Sequence, residues 1–219
     1  MSKKYKFADN DKIYFVSFAT TNWIDVFIRN EYKEEIVNSI KYCQLNKDLE
    51  LYGWCIMTSH VHLIIGTKGN PLQNIMRDLK RHTAEILHKL IQTNTTESRR
   101  EWMLWMMKRA AKKNNNPAKF QLWQPESHPI QLMNNEMAHQ KLDYIHNNPV
   151  EAGFVTKAEE WTYSSAIDYY GGKGLLEIIQ VGHIDCLKSF LRHRYPTAQN
   201  KAAYLRQYGE IIRLDTWIV

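Results

Sequence analysis

Two histidines separated by one residue, His60-Val61-His62, are the pair best placed to do chemistry in this sequence. In an extended chain residues i and i+2 project to the same face, with Cα atoms roughly 6.5–7 Å apart, so two imidazoles can converge on one cation. Val61, Leu63 and Ile65 then point the other way, and this apolar alternation predicts that the histidines occupy the sheet face turned away from the core. The pair by itself is a weak motif, because two imidazoles do not complete a coordination sphere. A third donor and a reacting group are offered by Tyr144 and Asn148, which stand at i and i+4 near the end of a helical pattern and so share a helix face. Asn148 supplies an amide oxygen. Tyr144 supplies a phenol, a usable nucleophile where a nearby cation or base lowers its pKa from about 10. The same two residues also read as an amphipathic core tyrosine and a helix C-cap ahead of Pro149. His146 and Asn147 lie between them and count as secondary ligands, while His128 and His139 read as surface or core histidines. Tyr163, Tyr169 and Tyr170 are rival nucleophiles without a ligand-type residue at i+4 on a facing helix.

Elements that would position these residues follow from the apolar periods. Residues 13–20 are β-branched and aromatic and predict a strand; Asn30 is placed to cap a helix over 31–45. Residues 49–57 and 60–67 predict two strands joined by Thr58-Ser59 as a hairpin, and Pro71 opens a helix to about residue 91. From 93 to about 117 the pattern blurs into Trp, Met and basic residues, read as an inserted or mobile basic helix. Residues 120–124 and 128–133 predict a short strand pair or an extended connection. Asn134 or Asn135 then caps a helix that ends at or before Asn148, because Pro149 follows. The order is β-α-β-β-α-β with an extra helix, an α+β ferredoxin-like split βαβ arrangement whose helices cover one sheet face and leave the other for a site. The domain is expected to span 1–174, with the insertion inside it, followed by a helical extension over 175–219 with helices around 184–195 and 198–212.

The chain has 219 residues, 44% hydrophobic and 24% charged, enough to bury a core and too apolar for a disordered chain. Its formal charge of +6 is localised. Between Pro71 and Lys113 ten Lys/Arg face four Asp/Glu, a surplus equal to that of the whole chain. Such a window is either a solvated face or the surface for an anionic partner such as nucleic acid. The candidates for that surface are Arg77, Lys80, Arg81 and His82 on the helix after the H-x-H strand, then Lys108, Arg109, Lys112 and Lys113. Trp102, Trp105 and Trp123 could stack unpaired bases or cover core. The first twelve residues hold no apolar targeting segment, no run of eighteen apolar residues occurs, and Cys43, Cys55 and Cys186 are unpaired in spacing. These features predict a cytoplasmic setting.

Two blocks carry a resemblance. Gly53-Trp-Cys-Ile-Met-Thr-Ser-His-Val-His-Leu-Ile-Ile, followed by Asp143-Tyr-Ile-His-Asn-Asn-Pro-Val-Glu-Ala-Gly-Phe-Val and Glu160-Trp-Thr-Tyr-Ser-Ser, resembles the HUH single-tyrosine transposases. The likeness is greatest to the REP-associated tyrosine transposases and their insertion-sequence relatives, and it covers residues 13–170. It implies a site-specific endonuclease and strand transferase acting on single-stranded DNA, often beside a hairpin. His60, His62 and Asn148 would hold a divalent ion, Mg²⁺ or Mn²⁺, and Tyr144 would be the nucleophile that forms a 5′-phosphotyrosine linkage and frees a 3′-OH. Relatives act as monomers or as homodimers. Two other classes remain open on the residues alone: a non-catalytic DNA-binding protein on the same fold, and a metal-dependent phosphoesterase that uses water.

Overall fold

The computed structural model of the chain describes residues 7–114, 119–125, 127 and 129–181. Strands β1 (Tyr14–Ala19), β2 (Leu49–Ile56), β3 (His60–Thr67) and β4 (Ile130–Gln131) form one antiparallel sheet in the order β2-β3-β1-β4. Helix α1 (Asn30–Asn46) joins β1 to β2, and Met57 N–H closes the β2–β3 hairpin on His60 O at 2.8 Å. Helices α2 (Leu72–Thr93) and α3 (Arg100–Lys113) precede β4, and α4 (Asn135–Glu151) and α5 (Ala166–Tyr169) follow it. This is the ferredoxin-like order the sequence predicts, with α3 as the additional helix.

The period of two in each strand divides the side chains between the faces. Tyr14, Val16 and Phe18 of β1, Trp54 and Ile56 of β2, and Val61, Leu63 and Ile65 of β3 are buried against Ile36 and Ile40 of α1 and Leu72, Ile75 and Leu79 of α2. Each such side chain contributes roughly 1.5–3 kcal/mol by leaving water. Phe15, Ser17, Ala19, Gly53, Cys55, His60, His62 and Ile64 make up the other face. The α1–α2 layer thus covers one face, as expected, and α4 lies on the opposite, histidine-bearing face. Gly53 is what lets it approach: a Cβ there would stand 2.7 Å from Leu142 Cδ1 and 3.1 Å from Ile145 Cδ1.

Three local expectations change. Asn30 is the first residue of α1, and no side chain caps that end. Residues 120–124 and 128–133 do not pair with each other; both dock on β1, Ile130–Gln131 against Tyr14 and Phe15, and Trp123 as a single bridge to Thr20. Pro129, with no N–H to give, and the Asn134 cap, whose side chain accepts Met137 N–H at 2.9 Å, confine β4 to two residues. Pro149 does not end α4 either. The helix runs on to Glu151, and Ala152 N–H returns to Asn148 O at 3.0 Å. A proline in a helix interior costs about 3 kcal/mol through its missing N–H and its ring. Here it sits in the last turn with its ring buried, so its cost is limited and packing opposes it.

The outer edge of β2 is covered. Ile56 N–H bonds to Tyr163 O (2.9 Å), Trp54 N–H to Ser165 Oγ (2.9 Å), Ser165 N–H to Trp54 O (2.9 Å) and Ile179 N–H to Leu51 O (2.8 Å). The chain divides after Ile179 into residues 1–179 and 180–219. Residues 175–179 therefore belong with the sheet, and Leu176 is buried in its core. The helices expected around 184–195 and 198–212 lie outside the described residues.

Candidate active site

The histidine face is built from small neighbours. In the sheet register His60 stands opposite Ala19, and His62 opposite Ser17 on one side and Cys55 on the other. None of these side chains is large enough to fill the space the imidazoles occupy. The two rings meet edge to face with centroids 4.7 Å apart. His62 is 3% exposed, stacked on Phe15 at 5.6 Å and met edge-on by Tyr144 at 5.4 Å. Burial first, then the charges of His60 and Lys141, push its pKa down to about 3. Burial likewise lowers His60, against the opposing effects of Asn148 and Asp25. Burial thus disfavours the charged form of both imidazoles, and a neutral ring is the form that can ligate a metal.

α4 brings the remaining groups. Ala138, Leu142, Ile145, His146 and Pro149 form its buried stripe, and Lys141, Tyr144 and Asn148 follow one another along the adjoining stripe. Asn148 Nδ2 comes to 3.5 Å of His62 Nε2. A half-turn of the amide would put its oxygen in that place. Tyr144 is 44% exposed, so a substrate can reach it, and Lys141 Nζ stands 5.5 Å from its ring. Two imidazoles and an amide oxygen are a donor set for a divalent ion and do not by themselves select which one. His62 Nδ1 is buried with no hydrogen-bond partner, a polar atom that the protein itself leaves unsatisfied. Among the described residues no cluster of three or more His, Cys, Asp or Glu exists, so Asn148 is the third donor this site offers.

The secondary candidates separate cleanly. His146 turns inward to Ser165 Oγ (2.8 Å), and burial lowers its pKa to about 4. Asn147 and His139 are exposed, and His128 lies outside the described residues. Tyr163 is buried, Tyr169 gives its hydroxyl to Tyr52 O at 2.7 Å, and no ring contact joins Tyr170 to either histidine.

The basic window splits between two helices. α2 packs on the sheet face opposite the histidines, so Arg77, Lys80, Arg81 and His82 do not line a groove beside His60 and His62 as the sequence suggests. Arg77 and Arg81 engage Asp78, at 3.1 and 3.5 Å. Lys80 Nζ is drawn inward to Ser127 Oγ (2.7 Å) and Gln124 O (3.2 Å), and burial lowers its pKa to about 8. His82 is exposed. Trp123 is core: its indole N–H donates to Thr83 Oγ1 at 3.1 Å, and its ring meets Phe18 at 4.7 Å. α3 keeps its charges outward. Met103, Met107, Ala110 and Ala111 are its buried side, while Trp102, Trp105, Lys108, Arg109, Lys112 and Lys113 are exposed, with Arg109 over the Trp105 ring at 5.2 Å.

Residues 12–111 match the family model of the IS200-like transposases. Over this stretch the chain is similar to the IS200-like transposases. The matched segment holds β1 to β3, both histidines and most of α3, and it ends before Tyr144 and Asn148. Among solved structures the fold is similar to that of a REP-associated tyrosine transposase bound to a REP hairpin. That match has a TM-score of 0.55 and 16% identity, and covers 83% of this chain and 93% of the other. A Deinococcus radiodurans R1 protein described as a transposase also matches, at a TM-score of 0.38 and 19% identity, over 67% of this chain and 97% of its own. No curated protein matches this chain in sequence. Two residues beside the histidine strand escape sequence reasoning. Lys141 could have been found as the i−3 neighbour of Tyr144. Trp23, whose ring meets His60 edge to face at 5.6 Å, leaves no signal beyond an aromatic residue just after β1.

Proposed function

We propose that the protein is a metal-dependent single-stranded DNA endonuclease and strand transferase that uses Tyr144 as its nucleophile. The observation that carries this reading is the placement of Tyr144, 5.4 Å from His62 ring to ring, one helical turn before Asn148 and open to solvent. His60, His62 and Asn148 would hold a divalent ion, which when bound neutralises and polarises the scissile phosphate. Tyr144 Oη gives up its proton to solvent, and Lys141 Nζ, 5.5 Å from the ring, is placed to meet the incoming phosphate. The oxygen then attacks phosphorus in line. The bond to the 3′ oxygen breaks, that oxygen takes up a proton, and the 5′ phosphate stays on the tyrosine. Attack by another 3′-OH reverses the step and joins strands without a nucleotide cofactor. Phe15 and the buried His62 keep the inner side of the site dry.

The substrate is DNA with an unpaired strand beside a hairpin, in keeping with the hairpin-bound relative and with the exposed basic face of α3. Both histidines, Tyr144 and Asn148 come from one chain, so a single protomer carries a full site. The experiment is incubation with end-labelled hairpin DNA bearing single-stranded tails, with Mn²⁺, followed by denaturing electrophoresis. A covalent protein–DNA band that disappears in Tyr144→Phe is the expected result. A band that persists in that variant overturns the nucleophile. Cleavage without a band indicates a water-using phosphoesterase, and binding with neither indicates a binding module.

A further inference from the structure

Asn22 and Trp23 adopt φ of 51° and 55°, the left-handed region that a bulky L-residue rarely enters. The turn is held there from several sides. Thr21 N–H bonds to Leu122 O (2.6 Å), Thr20 N–H to Ser59 O (2.8 Å), Thr20 Oγ1 to Ile24 O (2.7 Å), and Gln124 Nε2 to Thr20 O (3.1 Å). Folding gains little from the residue so constrained, because the Trp23 indole is 57% exposed. What the strain achieves is position. The indole meets His60 edge to face at 5.6 Å, and that geometry leaves at least one indole face uncovered by the histidine. It also forms one wall of a cavity of about 470 Å³, whose other walls include Asn22, Met106, Arg109, Lys113 and Gln124. Among the described residues none that lines it is acidic.

We propose that this cavity binds one unpaired nucleotide of the DNA strand that enters the active site, its base stacked on Trp23 and its phosphate against Arg109 and Lys113. The proposal rests on the nuclease reading of the adjoining site and names the groove through which its substrate runs. An indole face accepts any base, provided the base is out of a duplex, and two cations without an opposing carboxylate favour a phosphate. A volume in the range of about 300–1,000 Å³ is that of a small-ligand site. The basic α3 thus acquires a specific task, supplying charge to the strand next to His60.

The test is fluorescence anisotropy of a labelled dT20 strand, titrated with the full chain in EDTA so that no cleavage occurs. Trp23→Gly is expected to weaken binding by roughly 5- to 100-fold, the loss of one stacked base. It should melt at or above the wild-type temperature, because glycine accepts the positive φ. Trp23→Phe should keep most of the affinity. Arg109→Gln with Lys113→Gln, both exposed positions, should reduce the salt slope by about 0.7, the loss of one phosphate contact. Binding by Trp23→Gly within twofold of wild type, or an unchanged salt slope in the double variant, overturns the proposal. The two readings fail separately. A Tyr144-dependent adduct with unaltered Trp23→Gly binding leaves the nuclease standing without this pocket. Trp23-dependent dT20 binding with no adduct leaves the pocket without the nuclease.

Discussion

The Asn148 amide reaches 3.5 Å of His62 Nε2 because α4 continues through Pro149 instead of stopping before it. Had the helix ended at Asn148, that side chain would be free to cap the terminus. Within the last turn it is one step along the same stripe as Tyr144, and the two are delivered to β3 together.

That delivery depends on Gly53. Gly53→Val would drive side-chain atoms into Leu142 and Ile145, which a Cβ alone already meets at 2.7 and 3.1 Å. Overpacking of this kind is expected to cost about 1–3 kcal/mol in urea unfolding and to reduce adduct yield by moving Tyr144 and Asn148 outward. Unchanged stability would show that α4 does not press on this strand.

Divalent ions should stabilise the folded chain. Mn²⁺ at a hundred times its dissociation constant adds about 2.7 kcal/mol by mass action, seen as a rise in melting temperature. His60→Ala with His62→Ala should abolish that rise while leaving the chain folded, since both rings lie on the face away from the main core. A rise retained by the double variant would place the ion elsewhere.

Acid should destabilise the metal-free protein through His146. Its folded pKa is about 4, below the unfolded value near 6.5. Between these values the unfolded chain binds a proton that the folded chain refuses, so stability falls as pH drops through this window, by roughly 3 kcal/mol in all. His62, lowered to about 3, acts in the same sense. Urea midpoints in EDTA between pH 7 and 4 measure the slope, and His146→Gln should flatten it.

Charge removal on α2 should have little effect on DNA. Arg77→Gln and Arg81→Gln lie on the helix layer across the sheet from the histidines, and Asp78 already engages both side chains. Oligonucleotide affinity and its salt slope are expected to stay within twofold of wild type. A slope reduced by about 0.7 per substitution would bring α2 into the interface.

The proposed site is assembled within one chain, so exchange between chains is expected not to repair it. Tyr144→Phe mixed with His62→Ala should give no covalent adduct, because neither chain has both groups. Recovery of adduct would show that the tyrosine helix is shared between protomers.

The histidine strand was legible because Val61, Leu63 and Ile65 fix the core face by alternation and leave His60 and His62 the other. Tyr144 and Asn148 followed from helical spacing. The rule that a helix stops before proline failed at Pro149, where tertiary packing of the ring outweighs a local preference. Charge was misleading at Lys80, since composition does not tell a solvated ammonium from one drawn inward to Gln124 and Ser127. Trp123 and Trp105 look alike in sequence, yet one is core and the other 53% exposed, because register on β1 and the buried stripe of α3 decide it. Trp23 was invisible for a different reason: its distinguishing property is a backbone angle.

The cover along β2 bears on assembly. The Ser165 hydroxyl and the carbonyl of Tyr163 occupy backbone groups that an outer strand would otherwise present, and β4 at the other side of the sheet is only two residues long. Among the described residues neither margin offers a long run of open backbone on which another strand could extend the sheet, the route by which many proteins join or aggregate. Among the described residues the histidine strand β3 lies inside the sheet between β2 and β1, so no second chain can pair with it without first displacing a neighbouring strand.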